Sequence, residues 1–155
     1  MKALIVYDSF FGNTEKIARA VGTALGLAKT DVVKVGELQS AQLAGLELLI
    51  VGSPTRAMQA SDGIKAFLKG LPSNSLNGVK VAAFDTRMTV NEKTPGFLRL
   101  MVKLLGYAAE PMAKKLIRKG GMQVLAPAGF LVKDSEGPLQ EGELERAAEW
   151  VKPLK

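Results

Sequence analysis

Ala3-Leu4-Ile5-Val6-Tyr7-Asp8-Ser9-Phe10-Phe11-Gly12-Asn13-Thr14 decides how this chain is read. Its first five residues form a continuous apolar run, the mark of a strand buried on both faces. The run stops in a short loop of hydroxyl, amide and glycine. A helical pattern follows, with Ile17, Ala18, Val21, Ala24 and Leu25 at three- and four-residue steps. A helix start offers unpaired backbone N–H groups and the positive end of its dipole. A strand that feeds such a loop into a helix is therefore a natural phosphate cradle. Ser9, Asn13 and Thr14 can add donors, and Gly12 lets the backbone come close or take a positive φ. No Lys or Arg lies between Ser9 and Thr14, so the loop suits one phosphate monoester better than a nucleoside triphosphate. The plainer alternative is that Ser9 and Asn13 only cap the helix.

Val6-Tyr7-x-Ser9-x-x-Gly12-x-Thr14, followed by Ala18 and Val21, resembles the flavodoxin signature. In that family the loop holds the phosphate of FMN. The resemblance places Ser9, Phe10, Phe11, Gly12, Asn13 and Thr14 at the cofactor, and it runs along the whole chain apart from one insertion.

The 155 residues are enough for one domain with one core. Apolar residues make up 47% and charged ones only 23%, which argues against disorder. With neither Cys nor His, the chain has no disulfide framework, no Cys nucleophile, no Ser-His-Asp triad and no ordinary zinc site. No catalytic residue and no metal ligand is assigned. No apolar run reaches the ~18 residues of a membrane span, and the N-terminal run is too short for a signal peptide, so the expectation is a soluble cytoplasmic protein. The net charge of +6 favours acidic partners, anionic lipid or nucleic acid, or serves solubility alone. Dispersed Lys and Arg without aromatic platforms argue against nucleic acid.

Further strands are expected at 31–35, 47–51, 79–84 and, interrupted by Pro127-Ala128-Gly129, within 122–132. Helices are expected at 38–43, around 64–71, at 112–119 and at 143–151. Five strands alternating with five helices imply a doubly wound parallel sheet with helices on both faces. The resemblance adds the strand order 2-1-3-4-5 for this α/β fold.

Ligand loops in such folds sit at the strand carboxyl ends. The second expected loop is Ser53-Pro54-Thr55-Arg56-Ala57-Met58-Gln59, and the third is Asp85-Thr86-Arg87-Met88. By themselves they read equally as surface turns. By resemblance, Pro54, Thr55, Arg56, Ala57 and Met58 lie against the flavin, with Asp85, Thr86, Arg87 and Met88 near its pyrimidine edge. Neither loop carries the aromatic residue that flavodoxins usually stack on the ring. They offer Arg56 and Arg87 instead, either of which would favour an anionic reduced flavin and raise its potential. Glu136 to Leu144 also resembles short-chain flavodoxin-like proteins, and is read as a turn and helix start without chemistry. The lone Trp150 of the last helix is expected in the core.

The insertion-like stretch covers about residues 89–109. Phe97-Leu98-Arg99-Leu100-Met101-Val102-Lys103-Leu104-Leu105-Gly106-Tyr107 reads as a short apolar helix. Local core packing is the ordinary explanation. The alternatives are a lid, a homodimer or partner face through 97–107, or, given Arg99 and Lys103, an anionic membrane surface. The reading as a whole is an FMN-binding electron carrier serving acidic redox proteins. An FMN-dependent NAD(P)H:quinone-type oxidoreductase and a non-redox binding protein on the same fold are the alternatives.

Overall fold

The computed structural model describes residues 1–27, 29–88 and 93–155. Four parallel strands run in the order β2 (Lys29–Lys34), β1 (Lys2–Tyr7), β3 (Leu48–Pro54) and β4 (Lys80–Met88). The fifth position is shared by two short strands on the free edge of β4. β5 (Met122–Gln123) pairs with its start, Lys80 and Val81, and β6 (Ala128–Val132) pairs with its end, Phe84 to Met88. The break lies at 124–127, so Ala128 and Gly129, expected in the interruption, belong to β6.

Residues alternate between the two faces of a strand, and each face meets its own helices. Leu4, Val6, Leu49, Val51, Val81 and Ala83 pack against α2 (Asp62–Gly70) and α4 (Ala109–Arg118). Ala3, Ile5, Tyr7, Leu48, Ile50, Ala82 and Phe84 pack against α1 (Asn13–Leu25) and α5 (Glu143–Val151). Near-continuous apolar strands are what burial on both faces demands. Ser61 caps α2 by accepting the Ile64 amide. The expected helix at 38–43 is instead a pair of 3₁₀ turns, Val35–Glu37 and Ser40–Leu43.

Gly52 in β3 is fixed by packing. A Cβ there would stand 2.1 Å from the Phe84 ring. Phe84 meets Phe130 and Trp150 edge-on, with centroids 5.9 Å away in both cases. Trp150 is only half-buried, and its indole donates to the Ala126 carbonyl at 2.9 Å.

Two expectations at strand ends are corrected. Ser53 and Pro54 continue β3, and Asp85 to Met88 continue β4, because parallel pairing persists through Ser53–Asp85 and Pro54–Thr86 after the side chains turn polar. The expectation of core packing for the insertion also fails. α3 (Gly96–Leu105) leaves Phe97 65%, Leu100 56% and Leu104 72% exposed. Residues 89–92, which open that stretch, lie outside the described residues. Among the described residues no helix is long and apolar enough to cross a membrane.

Candidate functional site

A cleft of about 330 Å³ lies at the carboxyl edge of the sheet, where β1, β3, β4 and β6 all end. Its floor comes from the loop after β1. Gly12 precedes α1 with φ +90°, a backbone that favours glycine, and no side chain caps the helix. The capping alternative for Ser9 and Asn13 is thereby set aside. The first intrahelical bond runs from Lys16 N to the Gly12 carbonyl at 3.1 Å, so the amides of Asn13, Thr14 and Glu15 precede the ladder.

Side chains shape this floor without closing it. Ser9 Oγ accepts the Gly12 amide at 3.0 Å and keeps its own O–H to donate. Buried Thr14 Oγ1 lies 2.7 Å from Thr86 Oγ1, and one hydroxyl of that pair likewise keeps a proton for a ligand. Asn13 Nδ2 donates to the Glu136 carbonyl at 3.0 Å, tying the helix start to the segment after β6. Behind the floor, Tyr7 donates to Glu15 at 2.9 Å. Burial, then that bond, pushes the Tyr7 phenol above its ordinary value, while the same bond holds the Glu15 carboxyl below its own.

One wall is the turn after β3. Arg56 and Gln59 exchange backbone bonds of 2.8 and 2.9 Å. Ala57 and Met58 between them take φ of +48° and +65°. A tight turn of this kind ordinarily uses Asn-Gly, so two substituted residues here store strain of about 1 kcal/mol or more each. Arg56 lies over the exposed Phe10 ring, 4.6 Å from its centroid. Met58 does not reach the cleft. It lines a neighbouring groove with Pro111, Met112 and Lys115.

The opposite wall is the end of β4. Arg87 grips Asp85 with two bonds of 2.6 and 2.7 Å, and its guanidinium lies 3.8 Å from the Tyr107 ring centre. Asp85 sits fully buried beneath the cleft rather than in it. There its carboxylate also accepts the Ala109 amide at 2.9 Å, and Thr55 Oγ1 accepts that of Ala108 at 3.1 Å. Burial pushes the Asp85 carboxyl above its ordinary value, and Arg87, Ala109 and Thr55 pull it back.

The structure thus brings Ser9, Phe10, Phe11, Asn13, Thr14, Pro54, Thr55, Arg56, Ala57, Thr86, Arg87 and Met88 to one cleft. Of the remaining expected residues, Gly12 shapes the loop, Asp85 lies below and Met58 points elsewhere. Val132, Ser135 and Glu136 complete the lining and were not expected. Their signal was positional, since they follow the last strand of the same sheet edge. Among the described residues no group of His, Cys, Asp and Glu could hold a metal ion.

A parallel α/β sheet with a nest of amides at its first strand–helix junction defines a phosphate-binding fold. The family model described as "Flavodoxin domain" matches residues 4–104, about two thirds of the sequence. The chain belongs to the flavodoxin-domain family, and FMN is the cofactor that membership implies. A flavodoxin from the domain Archaea superposes with TM-score 0.77 at 21% identity, covering 99% of this chain and 96% of that one. Flavodoxin 1 from Bacillus cereus gives 0.73 at 18%, covering 96% and 93%. A flavodoxin, WrbA-like protein from Agrobacterium tumefaciens gives 0.74 at 20%, covering 98% and 93%. At such identities these likenesses speak for the fold alone. No curated protein sequence matches the chain.

The residues present fit FMN. The floor is neutral and rich in donors, as a phosphate monoester requires. Phe10, Phe11, Met88 and Val132 add apolar surface, and the volume falls within the ~300–1,000 Å³ of small-ligand sites.

Proposed function

We propose that this protein is an FMN-dependent electron carrier, and that the cleft is its FMN site. FMN would supply one- or two-electron redox chemistry there. The amides of Asn13 to Glu15 and the hydroxyls of Ser9 and Thr14 would hold the phosphate. Thr55 to Ala57 on one side and Thr86 to Met88 on the other would hold the ring. Asp85 acts through Arg87 and the Ala109 amide, so its role is positioning. The observation that carries this reading is the set of amides opening α1 at the floor of a cleft walled by two further strand ends.

The carrier reading needs no acid–base residue, in keeping with a chain that has neither His nor Cys. Its partner is proposed to be an acidic redox protein. A cleft between α2 and α4 gathers Lys65, Lys69, Lys115, Arg118 and Lys119. It adjoins the groove of Met58 through Lys65 and Lys115. Such a patch steers acidic partners in a salt-dependent way.

Titrating the FMN-free protein with FMN tests the reading. Saturable quenching of flavin fluorescence with one equivalent bound is expected. Absence of quenching, with Thr14→Val indistinguishable from the parent, overturns it. Fast NAD(P)H oxidation with a quinone acceptor would replace the carrier by an oxidoreductase.

A further inference from the structure

We propose that α3 is an in-plane anchor by which the protein docks reversibly on an anionic lipid bilayer. The helix touches the rest of the fold only sparsely. At 100° per residue, Leu100, Leu104, Phe97, Met101 and Leu98 fall in order around an arc of about 160°. All five are exposed, from 37% at Leu98 and Met101 to 72% at Leu104. Removing such side chains from water is favourable, so an exposed arc of five is a surface awaiting a partner.

Charge selects the partner. Arg99 and Lys103 lie together on the opposite side of the helix, about 180° and 140° from the centre of the arc. Every charged residue from 93 to 107 is cationic. An apolar face backed by a polar face whose charges are all cationic is the pattern of helices that lie at the lipid headgroup boundary. A second copy fits less well. Two-fold pairing through the arc would leave every cation of the helix without an opposite charge on either copy's helix, which holds no acidic residue. Ten residues also give a patch only about 15 Å by 10 Å, short of the ~800 Å² that a standard interface buries on each partner.

The anchor is joined to the cleft. Gly106 N closes α3 on the Val102 carbonyl at 2.7 Å, and the next residue, Tyr107, lies under Arg87. Docking through α3 therefore brings the cleft wall to the membrane surface. A membrane-held electron partner would meet it there; that consequence rests on the proposed function, whereas the docking itself does not require FMN.

Vesicle flotation of the full chain tests the proposal, with and without FMN. Binding is expected to phosphatidylcholine:phosphatidylglycerol (1:1) vesicles at low salt, falling at high salt, with little binding to phosphatidylcholine alone. At ~1 kcal/mol per cation near an anionic surface, Arg99→Ser with Lys103→Ser should weaken partitioning about 30-fold. Phe97→Ser with Leu104→Ser should abolish it while the thermal midpoint stays unchanged, because neither side chain is buried. Three results overturn the proposal: no binding of the parent at low salt, equal binding to both vesicle types, or undiminished binding of the apolar variant, which would mean adsorption by net charge. Flavin quenching reports on the proposed function separately, so either can fail alone.

Discussion

The floor of the cleft and its β4 wall are built on opposite principles. On the floor, a stretch from Ser9 to Thr14 without charged side chains presents backbone amides and two hydroxyls, and its shape comes from Gly12. On the β4 side, a fully buried carboxylate holds a guanidinium, which in turn lies on an aromatic ring. The floor leaves its donors unspent for a ligand. The wall spends its charge internally. Positive charge at a strand end is thus no measure of what a ligand there would feel. Arg87 is compensated by Asp85, whereas Arg56, over Phe10, has no carboxylate at salt-bridge distance among the described residues.

Removing the buried carboxylate separates wall from floor most sharply. Asp85→Ala leaves the Arg87 guanidinium and the Ala109 amide without their acceptor, and should cost about 3–5 kcal/mol in urea denaturation. Adding Arg87→Met should recover part of that loss. The floor should answer in affinity instead. Thr14→Val removes one donor from the Thr14–Thr86 pair, and FMN titration should show binding about tenfold weaker, or ~1.4 kcal/mol.

The other wall, the turn after β3, offers a gain. Ala57→Asn with Met58→Gly places the preferred residues at two left-handed positions, and should add about 1 kcal/mol, or ~2–4 °C in thermal midpoint. Redox titration then compares the arginines. Arg56→Ala should lower the flavin midpoint potential by about 20 mV, the equivalent of ~0.5 kcal/mol for one electron at a solvated edge. Arg87→Ala should lower it less, since Asp85 already offsets that charge; equal shifts would show that the pair does not screen.

The smallest effect concerns acid stability. Glu143 accepts the Leu131 amide at 2.6 Å and binds Arg146, which also reaches the Gly129 carbonyl. Arg146 first, then that amide, holds the Glu143 carboxyl below 4.5, its ordinary value. A depressed folded-state value contributes stability that is present above pH 4.5 and is lost as pH falls through the lower one. Acid titration of Glu143→Gln should therefore show a shallower loss below pH 4.5. Asp85, shifted upward, has the opposite slope, its folded state holding the proton more tightly.

The sheet was readable from sequence because its strands are apolar blocks, buried on both faces, that stop at polar loops. Their ends were not. At Ser53–Pro54 and Asp85–Met88 side-chain polarity changes before pairing does, so a hydropathy reading stops too early. Met58 was misplaced because its left-handed backbone occurs without the Gly or Asn that signals such a turn. Val132, Ser135 and Glu136 carry no motif of their own, and only their place after the last strand of this sheet edge brings them to the cleft. For α3, apolar spacing makes core packing the ordinary expectation beside a lid, an interface or a membrane face. Spacing shows only that one face is apolar, and leaves open whether the fold supplies anything to cover it.

Asn13 and Thr14 each reach across to another part of the chain, Glu136 and Thr86. The two stitches tie the floor of the cleft to the end of β4 and to the segment after β6 through the chain's own bonds. A ligand arriving there finds the frame already assembled and loses little to ordering it, which should leave release rate, rather than folding around the guest, as the quantity on which selection can act.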